Sequence, residues 1–434
     1  MSDHTHEDLL PSETIVKEAE KIIKPRANRK GEPSFFMNDD MRKLSTPWNI
    51  AKIRSSQINT EDLPAGVILD AAAGSGVQLI ALTKGLRRPA LGIEIEKEVA
   101  VLCAANMYAT SDKDDIQRTM DRVLVGDGTK AGEAMSAFWK SLRDAGTRAH
   151  PPIAMLHLDP ARPRDAQNHK IEEMKPSLKE LLNSWNEYLQ IGPRGPAVLL
   201  DLSPRLDGQQ RNMVNSLLET TFPGVPRTWE WLSQGGGRVD RLSVWIGSIS
   251  SKKSHRCIRV GRKNIMAKIE GSPEISKTVK LNSPPPFGSW ISVIDASLLK
   301  SGLQESWVKK VMSPNCGYSW LRIEGRRPLI IHTEPLLDND DLSEFVVCSG
   351  KVVQHRLTPP ELRTIGQVAA AAGRYGINKV TLRCNIDPEV HPKIQRRLDA
   401  ELKGSDGSKA FMIDIELDRG LTNHLLYVVC KEEK

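Results

Sequence analysis

The 434-residue chain has no C-x-x-C pair: its six cysteines, Cys103, Cys257, Cys316, Cys348, Cys384 and Cys430, are scattered. That argues against a zinc site and a disulfide framework, and it points to a reduced, cytoplasmic setting. No H-x-x-x-H pair or carboxylate cluster suggests a metal. No apolar run approaches the roughly 18 residues a membrane helix needs. The first residues, with Asp3, Glu7 and Asp8, lack the basic region and apolar core of an export signal. The charge excess is small for this length, and the net +7 is only a lean towards an anionic partner such as nucleic acid. A third glycine is also missing. Gly74 and Gly76 are followed by Leu79 where a dinucleotide fingerprint would place it, which disfavours NAD and FAD.

What is present is centred on residues 67 to 78. Val67 to Leu69 read as a buried strand, Asp70 stands at its carboxyl end, and Gly74 and Gly76 let the backbone pass close to a ligand before a helix opens at Val77. The second strand ends in Glu94, an acid placed to accept hydrogen bonds from both hydroxyls of a ribose; Glu96, two residues on, can share or take that role. A third strand ends in Asp127, placed to receive an adenine amino group. A fourth, Ile153 to Leu158, delivers Asp159-Pro160-Ala161-Arg162 to the same edge. There Pro160 restricts the turn, Asp159 can orient a polar acceptor or take its proton, and Arg162 can fork onto a phosphate or carboxylate. His157 shares strand parity with Asp159 but reads as a hydrogen-bonded core residue rather than a base.

The organisation follows from the same periodicity. Residues 1 to 60 form a helical extension, with Ser12 capping an amphipathic helix that Pro25 ends and a second helical stretch around Trp48 to Gln57. From 61 to 269, short apolar runs alternate with helices over 97 to 110, 130 to 145, 173 to 190 and 208 to 220. This is the rhythm of βαβ units and a mostly parallel sheet. Runs at 242 to 249 and 256 to 260 are expected to pair as an edge hairpin. Residues 270 to 290, with Ser283-Pro-Pro-Pro286, read as a linker. Residues 291 to 434 read as a smaller α/β domain, with a hairpin at 344 to 355 turning at Ser349-Gly350. Two helices follow in it, one introduced by the capping box Thr358-Pro-Pro-Glu361 and one capped by Asp387.

Eight Lys or Arg and no Asp or Glu lie between Arg241 and Ile269, and on the expected hairpin Lys252, Lys253 and Arg256 would project at a turn to hold nucleic-acid phosphates. Trp229, Trp231 and Trp245 have strand spacing and read as core.

These motifs resemble the class I S-adenosylmethionine-dependent methyltransferases, and specifically a group with a DPAR motif and a C-terminal THUMP-like domain. Asp70, Gly74 and Gly76 match the first motif, Glu94 the ribose acid and Asp159 to Arg162 the fourth motif. Leu200-Asp-Leu-Ser-Pro204, Trp229-Glu-Trp231 and Leu242-Ser-Val-Trp245 resemble the later strands, and Ile386-Asp-Pro-Glu389 with the helix through Leu398 resembles the tail. The chain departs at Ala71-Ala-Ala73, which replaces a cysteine-containing turn, and at Pro163, where a second arginine is usual. The resemblance implies a Rossmann-like α/β sheet with S-adenosyl-L-methionine as cofactor. Asp70, Ala72, Gly74, Gly76, Glu94 and Asp127 would hold the donor, Asp159, Pro160 and Arg162 would serve the acceptor, and the substrate would be a tRNA or rRNA nucleotide. Two other readings stay open: a methyltransferase of a small molecule or protein, and a non-catalytic RNA-binding protein that retains the fold.

Overall fold

A computed structural model of the chain describes residues 6–111, 119–161, 171–325, 327–339, 341–403, 407–418 and 423–433. It divides into two compact units. The first holds residues up to Glu230 together with Arg241–Ser254 and Arg262–Asn264; the second holds Trp231–Asp240, His255–Gly261 and Ile265–Lys434.

The first unit starts with strand β1 (Glu7–Leu9) and helices α1 (Glu13–Ile22), α2 (Asp39–Leu44) and α3 (Trp48–Ser55). Ser12 caps α1 as its position predicts, its side chain accepting from the Ile15 amide. The alternating region then gives β2 (Val67–Asp70), α4 (Val77–Leu86), β3 (Ala90–Glu94), α5 (Lys97–Thr110), β4 (Arg122–Val125), α6 (Ala131–Asp144) and β5 (Ile153–Leu158). After these come α7 (Leu178–Trp185), a ribbon of β6 (Ile191–Gly192) and β7 (Gly195–Pro196), β8 (Val198–Leu202), α8 (Gly208–Thr221), β9 (Arg227–Ser233) and β10 (Arg241–Ile246). The division between the units runs through β9.

The strands lie in the order β1-β4-β3-β2-β5-β8-β10-β9. Strands β4, β3, β2, β5 and β8 are parallel, and β10 runs antiparallel to β8. This is a Rossmann-like doubly wound sheet in which the order reverses between β2 and β5, the place where open α/β sheets bind ligands at their carboxyl edge. Every residue of β2 and β5 is buried, as expected of parallel strands covered on both faces. Helix α1 joins this core through Ile15 and Ala19.

The second unit begins with the antiparallel pair β11 (His255–Val260) and β12 (Ile265–Gly271). Then come β13 (Trp290–Ile294), α9 (Ala296–Lys300), α10 (Gln304–Val311), β14 (Tyr318–Arg322), β15 (Leu329–His332), β16 (Val346–Leu357), α11 (Ile365–Gly373), β17 (Ile377–Leu382), α12 (His391–Glu401), β18 (Ser408–Asp418) and β19 (Asn423–Lys431). Its sheet runs β14-β15-β13-β16-β19-β18-β17. Alternate residues of β18 feed two cores: Ala410 and Met412 pack with α11 and α12, Phe411 and Ile413 with β13 and β16.

Several local expectations are corrected. The runs at 242 to 249 and 256 to 260 do not form a hairpin with each other, because β10 pairs with β8 and β11 with β12. Residues 344 to 355 do not turn at Ser349-Gly350 but lie largely within one twelve-residue strand. Gly350 is there for closeness: a Cβ on it would stand 2.5 Å from the Lys431 carbonyl oxygen on β19. The 173 to 190 helix is shorter, since α7 opens only after Pro176 with Ser177 as its cap. Helix α11 starts beyond the Thr358 box, and the Glu361 amide donates to the Thr364 hydroxyl (3.0 Å). Asp387 closes the turn ahead of α12, accepting from the Glu389 amide at 2.8 Å. The stretch from 270 to 290 carries backbone bonds within the second unit, Val279 to Trp320 and Asp418 to Leu281.

Candidate functional site

A cavity of about 950 Å³ opens at the carboxyl edge of the parallel strands of the first unit. Pockets for small molecules usually fall between about 300 and 1,000 Å³, so this one has room for more than one ligand moiety. Asp70, Ala72, Gly74, Glu94, Glu96, Asp127, Asp159 and Pro160 all line it.

Each is held by the local chain. Gly74 has φ +52° and Gly76 φ +74°, conformations that favour glycine. The two have different surroundings. A Cβ on Gly74 would meet nothing within 4 Å and would stand in open space, whereas one on Gly76 would come within 2.8 Å of the Cys103 sulfur of α5. Gly74 therefore keeps space clear in the cavity, and Gly76, the residue before α4, keeps the helices close.

Glu94 accepts from the Gly74 amide through Oε2 (2.9 Å) and from the Glu96 amide through Oε1 (3.1 Å). Burial raises its pKa, and these backbone bonds oppose the rise. Glu96 is exposed. The half-buried Asp127 accepts through Oδ1 from the Thr129 amide (2.9 Å) and hydroxyl (2.8 Å). Asp159 follows the last residue of β5, and the next turn is fixed by paired backbone bonds between Ala161 and Lys175. Arg162 lies outside the described residues.

Beneath this rim runs a buried chain of charge. Asp70 Oδ2 meets His157 Nδ1 at 2.7 Å, and His157 Nε2 lies 3.3 Å from Asp201 Oδ2. Asp201 in turn receives both terminal nitrogens of Arg54, one at 2.6 Å, and the Ser243 hydroxyl at 2.8 Å. Arg54 also donates to Gln78 (3.1 Å). Arg54 is 0% exposed and Asp201 1%. Burial alone would lower the His157 pKa, but Asp70 and Asp201 outweigh it and lift it to about 10. Burial likewise works against an ionised Asp201, and Arg54 overcomes it and holds that carboxyl well below its usual range. The ring is an imidazolium between two carboxylates, which is a structural role and not that of a base.

Asp201, the acid that binds Arg54, was not marked as a site residue from sequence. The signal was there in two places: an aspartate in the apolar run Val198–Leu202, and an arginine flanked by Ile50, Ala51 and Ile53. A buried charge of either sign requires a partner.

The sequence-predicted nucleic-acid residues separate. Lys252 and Lys253 are exposed after β10. Arg256 does not project at a turn: it is 4% exposed within β11, with Glu270 3.6 Å away on β12. Among the described residues there is no His, Cys, Asp and Glu group able to hold a metal, and no helix is long and apolar enough to cross a membrane.

No family model matches the chain, and no curated protein matches it. Solved structures similar to part of it include a precorrin-6y C5,15-methyltransferase from Geobacter metallireducens, 12% identical, covering 49% of this chain and 95% of the other with a TM-score of 0.30. Human methyltransferase-like protein 13 in complex with SAH is 14% identical over 48% of this chain and 82% of its own, TM-score 0.28. An rRNA methylase from Streptococcus thermophilus is 11% identical over 47% and 97%, TM-score 0.28. Overlaps this partial carry no weight for the activity.

Proposed function

We propose that the chain is an S-adenosylmethionine-dependent methyltransferase whose acceptor is an RNA nucleotide. The observation that carries the donor assignment is the glycine turn above β2 opening on a cavity that also holds Glu94 and Asp127. The residues present fit that donor. The Gly74 position leaves open the space a side chain would take, Glu94 offers a fixed carboxylate for a ribose diol, and Asp127 offers an acceptor for an exocyclic amine.

When bound, the donor supplies an activated methyl group for direct displacement. The chain's contribution is to align the two reactants, an effect that can supply about 7–11 kcal/mol of a barrier. Asp159 stands where it can orient a polar acceptor group and take its proton, and Pro160 holds the turn that positions it. The His157 imidazolium fixes Asp70 beneath the turn.

The RNA part is supported by the basic excess of the whole chain, by the exposed Lys252 and Lys253, and by the THUMP-like resemblance of residues 386 to 398. The test is calorimetric titration with S-adenosylhomocysteine, followed by methyl transfer to unmodified tRNA and rRNA. Wild type should bind, Asp70→Ala/Glu94→Ala should not, and Asp159→Ala should keep binding while losing transfer. An Asp159→Ala protein that transfers normally would remove that residue from the proposal. Binding without transfer to any RNA would point to a different acceptor.

A further inference from the structure

The residues proposed to hold the donor are acids and glycines, and the cavity's cations are not among them. Followed along the sheet edge, β4, β3, β2 and β5 bring the acids Asp127, Glu94, Asp70 and Asp159 to the cavity, and β8 and β10 bring Arg205 and Arg241. Arg205 stands three residues past Leu202, the last of β8. Arg241 is the first residue of β10, and the antiparallel register Leu242 to Leu202 sets it beside that same end. Lys175 is brought to the cavity by its backbone bonds with Ala161, at 2.8 and 3.0 Å. Charge therefore changes sign across a single cavity, just past Asp159.

Three cations enter the cavity from the side of β5, β8 and β10, and an anion bound there would be attracted by each of them. A neutral acceptor would gain nothing from that arrangement. The side chains are also of the right kind: Lys175 and Arg205 are exposed, Arg241 is half-buried, and the Arg241 guanidinium donates over a long 3.5 Å to the Ser45 carbonyl. Arginine forks match phosphate oxygens, and lysine adds a point charge.

We propose that Lys175, Arg205 and Arg241 form a phosphate-binding subsite at the acceptor end of the cavity, holding a phosphate attached to the nucleotide that is methylated. The inference rests on the reading above for the acceptor's identity. The phosphate can belong to an RNA chain or to a small phosphorylated molecule, and the experiment separates the two.

The full chain and Arg205→Gln/Arg241→Gln are compared for binding of an unmodified transcribed tRNA, adenosine 5′-monophosphate and adenosine, each over a salt series, with S-adenosylhomocysteine titrated in parallel. The double variant should bind tRNA about tenfold more weakly, with its log K against log salt slope reduced by about 1, while cofactor-product affinity stays within twofold. Loss confined to tRNA assigns the phosphate to a polynucleotide. Loss of a preference for adenosine monophosphate over adenosine, with tRNA binding unchanged, assigns it to a small molecule; both results support the subsite. Arg205→Lys/Arg241→Lys, which keeps the charge, should recover most of the binding. Unchanged affinity for every phosphate probe in a folded Gln variant overturns the proposal, and so does a parallel fall in S-adenosylhomocysteine affinity. A wild type that prefers phosphate through these residues yet ignores S-adenosylhomocysteine would keep the subsite and reject the donor reading.

Discussion

Replacing Arg54 by methionine should destabilise the protein more than any exposed change on the same helix. The guanidinium is fully buried, with both terminal nitrogens on Asp201 and one also on Ser243. Removing one partner of a buried ion pair costs about 3–5 kcal/mol, because the remaining charge stays buried without compensation. Here His157 and the Ser243 hydroxyl still reach Asp201, so the lower end, about 3 kcal/mol, is expected. At about 2–4 °C per kcal/mol for a unit of this size, the melting temperature should fall by about 6–12 °C. The control is Lys52→Met, an exposed position on α3, which should stay within about 0.5 kcal/mol of wild type. Thermal and urea unfolding at neutral pH give both numbers. In a double-variant cycle, Asp201→Asn should cost less in the Arg54→Met background than in wild type, with a coupling of about 0.5–3 kcal/mol. Equal losses for Arg54→Met and Lys52→Met, or strict additivity in the cycle, would refute the reasoning.

Two further outcomes follow from the same region. The His157 pKa is raised from 6.5 to about 10 in the folded chain, so its stabilising contribution is complete below the unfolded value of 6.5 and disappears as pH rises through about 10. The gap in urea midpoint between wild type and His157→Gln should therefore narrow from pH 6.5 to 10; a gap that stays constant would mean the ring is not the titrating group. The two glycines should separate stability from binding. Gly76→Ala, with its Cβ 2.8 Å from the Cys103 sulfur and φ +74°, should cost about 1–3 kcal/mol in stability. Gly74→Ala, meeting nothing within 4 Å, should weaken S-adenosylhomocysteine binding at a smaller stability cost. Reversal of that order, by calorimetry and thermal unfolding, would contradict the distinction drawn between them.

The parts of the site that sequence made legible are those whose chemistry is local. Asp70, Gly74, Gly76 and Glu94 belong to strand ends and the turn that follows, where spacing alone dictates which residues meet. The Arg54–Asp201 pair joins residues 147 apart on different elements, and no local pattern connects them. His157 was read as a bonded core residue, and its two carboxylate partners explain why, but neither partner was nameable from the strand itself. Gly350 misled because Ser-Gly is a turn signal in sequence, while in the fold the missing side chain admits the neighbouring strand's carbonyl. Arg256 misled in a similar way. A run of cations reads as solvated until the partner strand, with Glu270, is known.

The short strand β1 has a consequence for how the protein is handled. It lies antiparallel on β4, with Asp8 opposite Leu124, and so covers the outer side of a strand whose backbone groups would otherwise be open to pairing with another chain. Its neighbour His6 donates through Nε2 to the Asp127 carbonyl (3.2 Å), and a Cβ on Gly126 would collide with the His6 ring. His6 and the strand Glu7–Leu9 thus act as a guard strand against edge pairing and as a brace for the turn that carries Asp127. Removing them would open the outer edge of β4 to pairing and loosen one wall of the cavity in the same cut.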